Sequence, residues 1–183
     1  MTIAQTRSRT ALVVVDAQHD VVDGHFLRDQ VVANIAALAD KAREAGAPVV
    51  WVRHHDEGMP IGSPEWEYVP ELTMLESEPK VDKAYGDSFE DTNLESILEG
   101  LDVGKVLIVG GQTDACVRST LHGAFVRGYD TTLVADAHTG PDRSEYGGPE
   151  AEQIIAHTNL YWKYQSAPGR NAAVVDTADV SFA

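Results

Sequence analysis

Apolar residues in this chain gather into short unbroken runs, and between the runs the spacing turns helical. Ala11 to Val15, Pro48 to Val52 and Val106 to Val109 are continuously apolar. Runs of this length suit strands covered on both faces, as in a parallel sheet. Thr131 to Ala135 and Ala172 to Val175 read as further strands. From Val31 to Ala45 the apolar positions Val32, Ile35, Ala36 and Ala39 recur at helical spacing, and Gly46 closes the segment. Thr92 to Glu95 is a capping-box pattern opening a helix with the stripe Leu94, Ile97, Leu98 and Leu101. Val117, Leu121, Ala124 and Phe125 mark another helix, ended by Gly128, and Ala151 to Tyr161 reads as a fourth. Strands alternating with helices predict an α/β fold, a three-layer sandwich with a mostly parallel sheet between helices.

The intervening segments are less regular. Residues 57–80 contain Pro60, Pro64, Pro70 and Pro79, and they predict a long loop with at most a helical turn near Leu72 to Leu75. Loops of that length in a compact domain often cover binding sites. Residues 139–150 are rich in turn formers. Residues 1–183 are expected to form one domain, with 1–10 and 177–183 loosely ordered.

Composition removes several function classes. A net charge of -15 opposes binding to nucleic acid or to an anionic membrane surface. The single cysteine, Cys116, allows no intrachain disulfide and no cysteine-rich zinc site. No stretch approaches the length of a membrane span, and Ala11 to Val15 is too short for a signal-peptide core, so a cytoplasmic protein is expected.

Candidate chemistry clusters at the strand ends. Asp16 follows the first apolar run, and Cys116 falls in the first turn of the helix after Gly110-Gly111. Helix N-termini favour negative charge, hence a thiolate; a free cysteine there is equally well a small buried residue. Ligands of open α/β sheets bind beyond the carboxyl ends of strands, where strand order reverses. If the strands at 11–15 and 106–109 are neighbours, Asp16 and Cys116 face one crevice. A thiol needs a base, for which Asp16, Asp114, Asp136 and the histidines are candidates, and Lys83 is a candidate cation. His138, just past a strand end, is a candidate pocket residue, whereas His25 and His157 are expected at the surface. His54-His55-Asp56 invites a metal reading, but adjacent strand side chains point to opposite faces, so no metal and no other cofactor is expected. No GxGxxG, GxxxxGK[ST] or GxSxG motif occurs.

The patches LVVVDAQHD, VDKAYGDSFEDTNLESIL and VGGQTDACVRSTLHGAFVRGYDTTLVADAHT together resemble the isochorismatase-like cysteine hydrolase superfamily over about residues 10 to 140. The resemblance implies a Rossmann-like fold with a six-stranded sheet and an Asp–Lys–Cys triad at Asp16, Lys83 and Cys116. It also implies a cis peptide at Gly111-Gln112 and an oxyanion hole made by the N–H groups of Gln112 and Cys116. Cys116 would attack an amide or lactam carbonyl and carry a thioester, Asp16 would move protons, and Lys83 would steady charge. Members are commonly homo-oligomers, so a dimer or tetramer is expected. Nicotinamidases of this superfamily carry a DxH…H metal motif where this chain reads RHHDEG, which points away from a zinc enzyme. The stretches GSPEWEYVPEL and AHTNLYW look closer to general amidases, including streptothricin-hydrolase-like proteins. Phe26, His54, Trp66 and Tyr85 are candidate pocket residues. Two alternatives stand beside amide hydrolysis: an isochorismatase-type vinyl ether hydrolase, and a non-catalytic member that binds a small ligand or partner protein.

Overall fold

The computed structural model describes residues 1–182. In chain order its elements are α1 (Ile3–Thr6), β1 (Arg9–Val15), α2 (His19–Val22), α3 (Arg28–Glu44), β2 (Val49–His54) and β3 (Lys80–Lys83). Then come α4 (Leu94–Gly100), β4 (Val103–Gly111), a π-helical turn at Thr113–Val117, α5 (Arg118–Arg127), β5 (Asp130–Thr139), α6 (Ala151–Trp162), β6 (Ser166–Ala167) and β7 (Arg170–Val175).

The unbroken apolar runs become the inner strands because both of their faces are covered. The sheet has the order β3-β2-β1-β4-β5-β7-β6, parallel throughout except for β6 against β7. Alternate residues of each inner strand serve opposite cores. Leu12, Val14, Trp51, Leu107 and Val109 pack with Val32, Ile35 and Leu38 of α3. Val13, Val15, Val50, Val52 and Ile108 pack on the other face with Leu98 of α4, Leu121 and Phe125 of α5, and Trp162 of α6. The result is the expected sandwich of helices, sheet and helices.

The sheet has 7 strands rather than six. The sequence hides β3 because it is a polar edge strand, KVDK, with only Val81 and Lys83 turned inward. It hides β6 because that strand is 2 residues long. The chain ends are also more engaged than their composition suggests. Ile3–Thr6 forms a helical turn, Arg9 and Thr10 already belong to β1, and Val180 is buried in the core beside α3. Residues 57–80 are a packed excursion: Met59, Trp66, Tyr68, Val69 and Leu72 are all buried on the α3 side. In place of a turn at 72–75, this segment has a 3-10 turn at Pro64–Trp66, capped by Ser63.

The topology creates the crevice. The chain runs outward from β1 through β2 to β3, then returns to place β4 on the other side of β1, with Val15 opposite Gly110. That is where strand order reverses, and the segments leaving β1 and β4 diverge there. Gly110 is required at this join. Its φ is 120°, and a Cβ there would lie 1.8 Å from the Val15 carbonyl oxygen.

Candidate active site

Asp16 is the first residue beyond β1, fully buried, with φ 49°. Asp is among the few residues that tolerate this left-handed region, and such backbone positions concentrate at reactive sites. Its own N–H donates to the Val52 carbonyl at 2.9 Å, which ties it to the neighbouring strand. Lys83, at the end of β3, is 1 % exposed. Its Nζ lies 2.7 Å from Asp16 Oδ2 and donates to the Tyr85 carbonyl at 3.1 Å. Apart from this ion-pair contact, neither carboxylate oxygen has an aligned hydrogen-bond partner within the protein. Asp16 therefore retains lone pairs for another donor.

That donor is Cys116. Donor atoms of Asp16, His54 and Cys116 lie within 4.8 Å of one another. The cysteine sits in the π-helical turn rather than in a regular first turn. Here the N–H groups of Ala115 and Val117 both donate to the Gln112 carbonyl, at 3.1 and 3.1 Å. The peptide Gly111-Gln112 is cis. Behind the turn, His138 is buried and bridges the Thr113 hydroxyl (2.9 Å) and the Asn159 amide oxygen (3.0 Å). The Asn159 amide nitrogen donates to the Ala135 carbonyl, which fixes the amide orientation. His138 therefore donates from Nε2 and accepts at Nδ1 from Thr113. Burial pushes its pKa down to about 4, so the ring is neutral. It supports the turn and is not a pocket residue.

Electrostatics oppose the expectation of a resting thiolate. Burial, and then the adjacent Asp16 carboxylate, push the Cys116 thiol up to about 12. Burial also raises Asp16 above the ordinary carboxylate value, and the Lys83 ammonium opposes that rise without cancelling it. The resting state is thus a neutral thiol beside a carboxylate–ammonium pair. A carboxylate with a raised pKa is a better proton acceptor for such a thiol than an ordinary Asp.

Asp16, Cys116, Gln112 and Ala115 line a cavity of about 240 Å³ together with Asp20, Val21, His54, Asp56 and Met59. A larger cleft of about 510 Å³ runs between α5 and α6, past Asp114, Arg118 and His157. Its lining contains no cysteine or serine, so the smaller cavity is the candidate site. Of the expected pocket residues only His54 lines it. Trp66 is buried under the Arg53 guanidinium, 3.5 Å from its ring centroid, a cation–π contact. Phe26 and Tyr85 are held by their backbone carbonyls, which accept from Thr139 and Lys83, and both rings are exposed. Asp136 is also removed from the chemistry, since its carboxylate accepts from the N–H and hydroxyl of Thr177. Asp114 pairs with Arg143 at 3.7 Å.

Gln18 is unmarked in the hydrophobic pattern, yet it holds the crevice in shape. Fully buried, its amide donates to the carbonyls of His54 (2.9 Å) and Trp66 (2.7 Å) and accepts from the His54 N–H (2.7 Å). This clamp fixes the end of β2, where His54 Nδ1 lies 3.4 Å from Lys83 Nζ and Nε2 lies 3.4 Å from Asp56 Oδ2. A buried glutamine two residues past a strand-end aspartate is a weak signal, because its partners are backbone groups distant in sequence. Asp16, His54 and Cys116 could in principle hold a metal. The donor set fits one poorly, because the Lys83 ammonium already sits against Asp16 and His54 and the thiol is strongly protonated.

Comparison with known proteins gives a consistent assignment. The family model described as "Isochorismatase domain" matches residues 10–148. The chain is 36% identical over 153 residues to a secreted isochorismatase effector of Verticillium dahliae, covering 80% of this chain and 79% of that protein. It is 33% identical over 147 residues to streptothricin hydrolase of Streptomyces noursei, covering 77% of this chain and 58% of the relative. A ureidoacrylate amidohydrolase of Agrobacterium fabrum is 27% identical over 179 residues, covering 74% of this chain and 78% of that one. Among solved structures, an isochorismatase from Pseudomonas putida superposes with a TM-score of 0.84 at 28% identity, covering 99% of this chain and 92% of its own.

Proposed function

The chain belongs to the isochorismatase domain family, and on that premise we propose that it is a cysteine hydrolase cleaving a C–N bond of a small amide or lactam. The observation that carries this reading is the buried Lys83–Asp16 pair, 2.7 Å apart, with Asp16 opening onto the same small cavity as Cys116. A buried ion pair is costly to build and a poor choice for stability alone. Beside a thiol, it supplies a base and a fixed positive charge.

In the proposed cycle Cys116 Sγ attacks the carbonyl carbon while Asp16 takes the thiol proton. Negative charge develops on the carbonyl oxygen, where the N–H groups of Gln112 and Cys116 stabilise it. Such donors are worth about 2.7–4 kcal/mol each in comparable sites. The intermediate collapses with rupture of the C–N bond, and the Asp16 proton passes to the leaving nitrogen. Water then attacks the Cys116 thioester, Asp16 takes the water proton, and that proton returns to the departing sulfur. The acid is released with enzyme and charge restored. Lys83 keeps the Asp16 carboxylate oriented and tempers its charge throughout. The amidohydrolase and streptothricin hydrolase among the relatives support the C–N reading. Cytoplasmic residence fits it as well, since a reducing compartment keeps a lone thiol free.

The test is a screen of small amides and lactams for ammonia release or ring opening, with intact-mass detection of an acyl adduct on the enzyme. Cys116→Ala is expected to lower turnover by at least about 10³-fold and to abolish the adduct while the fold is retained. Full hydrolysis of a vinyl ether such as isochorismate by Cys116→Ala, with loss in Asp16→Asn, would instead identify the vinyl ether reaction.

A further inference from the structure

The cavity beside Cys116 has an uneven charge. Lys83 and Asp16 form an internal pair and largely offset each other. Two further carboxylates, Asp20 and Asp56, line the same cavity, and among the described residues no arginine or lysine lines it; Arg143 stands behind the lining residue Gln112, donating to its Oε1 at 2.9 Å. Asp20, in the first turn of α2, has neither a hydrogen bond nor an ion pair among the described residues, and it is exposed at the rim. Asp56 accepts through Oδ1 from the N–H groups of Gly58 (2.8 Å) and Met59 (2.9 Å), which hold the carboxylate in place. These bonds, that of Met59 first, keep its pKa below the ordinary value, so it is charged at neutral pH. Its Oδ2 lies 3.4 Å from the His54 ring. The apolar part of the same lining is Val21, Met59 and Ala115. In the same cavity the fully buried Asp16 carboxylate pairs with Lys83 and faces the Cys116 thiol, so it adds no free acceptor.

We propose that this cavity selects amides carrying a positive charge, with the reacting carbonyl at Cys116, a short apolar spacer against Val21 and Met59, and the cationic group held by Asp20 and Asp56. The inference rests on the reading that the Cys116 cavity is where the amide binds. Its physical basis is field focusing: a concave wall with excess charge of one sign concentrates ligands of the opposite sign and repels those of its own. The whole chain, at -15, adds to the same bias. An anionic amide would bring a third uncompensated negative charge into a space of about 240 Å³.

The test uses a matched series differing only in terminal charge: 4-aminobutanamide, butanamide and succinamate. Binding is measured by calorimetry on Cys116→Ala protein, and kcat/KM for ammonia release on the unaltered protein. The expected order is cation, neutral, anion, with the cation favoured over the anion by on the order of tenfold at low salt, and with the gap narrowing as ionic strength rises. Asp20→Asn and Asp56→Asn are each expected to shrink the cation-to-anion ratio severalfold. Asn at position 56 keeps an oxygen for the Gly58 and Met59 N–H groups, so a collapsed loop is not the expected cause. Equal behaviour of the three compounds, or a preference for the neutral or anionic one, overturns the proposal. So does a ratio unchanged in both variants. Ammonia release without charge preference leaves the hydrolase reading intact and removes this one. Ordered binding without turnover or acyl adduct does the reverse.

Discussion

At the scale of single residues, the site depends on a charge pair that folding alone would not favour. Lys83→Met leaves the Asp16 carboxylate buried without a counter-charge, and removal of one partner of such a pair typically costs about 3–5 kcal/mol. The double variant Asp16→Asn/Lys83→Met removes both charges and is expected to recover most of that loss. Urea unfolding of the variants checks it, and a single-variant cost below about 1 kcal/mol would count against a fully desolvated pair. The pH dependence of turnover follows from the same burial. Asp16 must be ionised to accept a proton, and burial raises its pKa above 3.8. The acid limb of kcat/KM therefore falls as pH drops, with its midpoint above that value. The thiol, pushed up to about 12, is expected to give no rise through roughly pH 8.5, where an ordinary cysteine ionises. A pH–rate profile showing such a rise would mean that Cys116 titrates as a free thiol.

At the scale of elements, the decisive join is that of β1 with β4. Gly110 lets the two backbones meet where Asp16 and the π-helical turn leave the sheet. Gly110→Ala would press a Cβ to 1.8 Å from the Val15 carbonyl at a φ of 120°. The expected outcome is a destabilisation of at least about 2 kcal/mol, with a larger fractional loss of kcat than the same destabilisation produces at a remote core position. Paired denaturation and kinetic measurements test this. Wild-type stability in the variant would show that the strands have room to separate. The same element explains the difference between the expected and observed settings of Cys116. A regular helix start offers free N–H groups and a positive field. The π-helical turn commits two of its N–H groups to the Gln112 carbonyl, and burial then outweighs the helix field.

At the scale of the whole molecule, the two apolar cores share every inner strand, because Leu12 and Val13 or Leu107 and Ile108 serve opposite faces of one sheet. Neither core can be lost without exposing the strands of the other. One cooperative transition is therefore expected, with far-UV and near-UV signals coinciding and calorimetric and van't Hoff enthalpies equal; separate transitions would show that the layers are independent. The inner strands and main helices are legible in the amino-acid order, since unbroken apolar runs and helical spacing reflect burial directly. That order also placed Asp16 and Cys116 at strand ends, and the patches around Asp16, Lys83 and Cys116 identified the family. The remaining features arise when distant segments are packed together. Lys83 looks like a solvated charge in a polar tetrapeptide, and becomes a buried partner only when β3 is laid beside β2. Gln18 acquires meaning from backbone carbonyls at His54 and Trp66, and Trp66, Phe26 and Tyr85 are not among the residues lining the Cys116 cavity. Hydrophobic periodicity records which face of an element is buried. It carries no record of which distant backbone group will satisfy a polar side chain, or of the charge left facing a cavity once the sheet has closed.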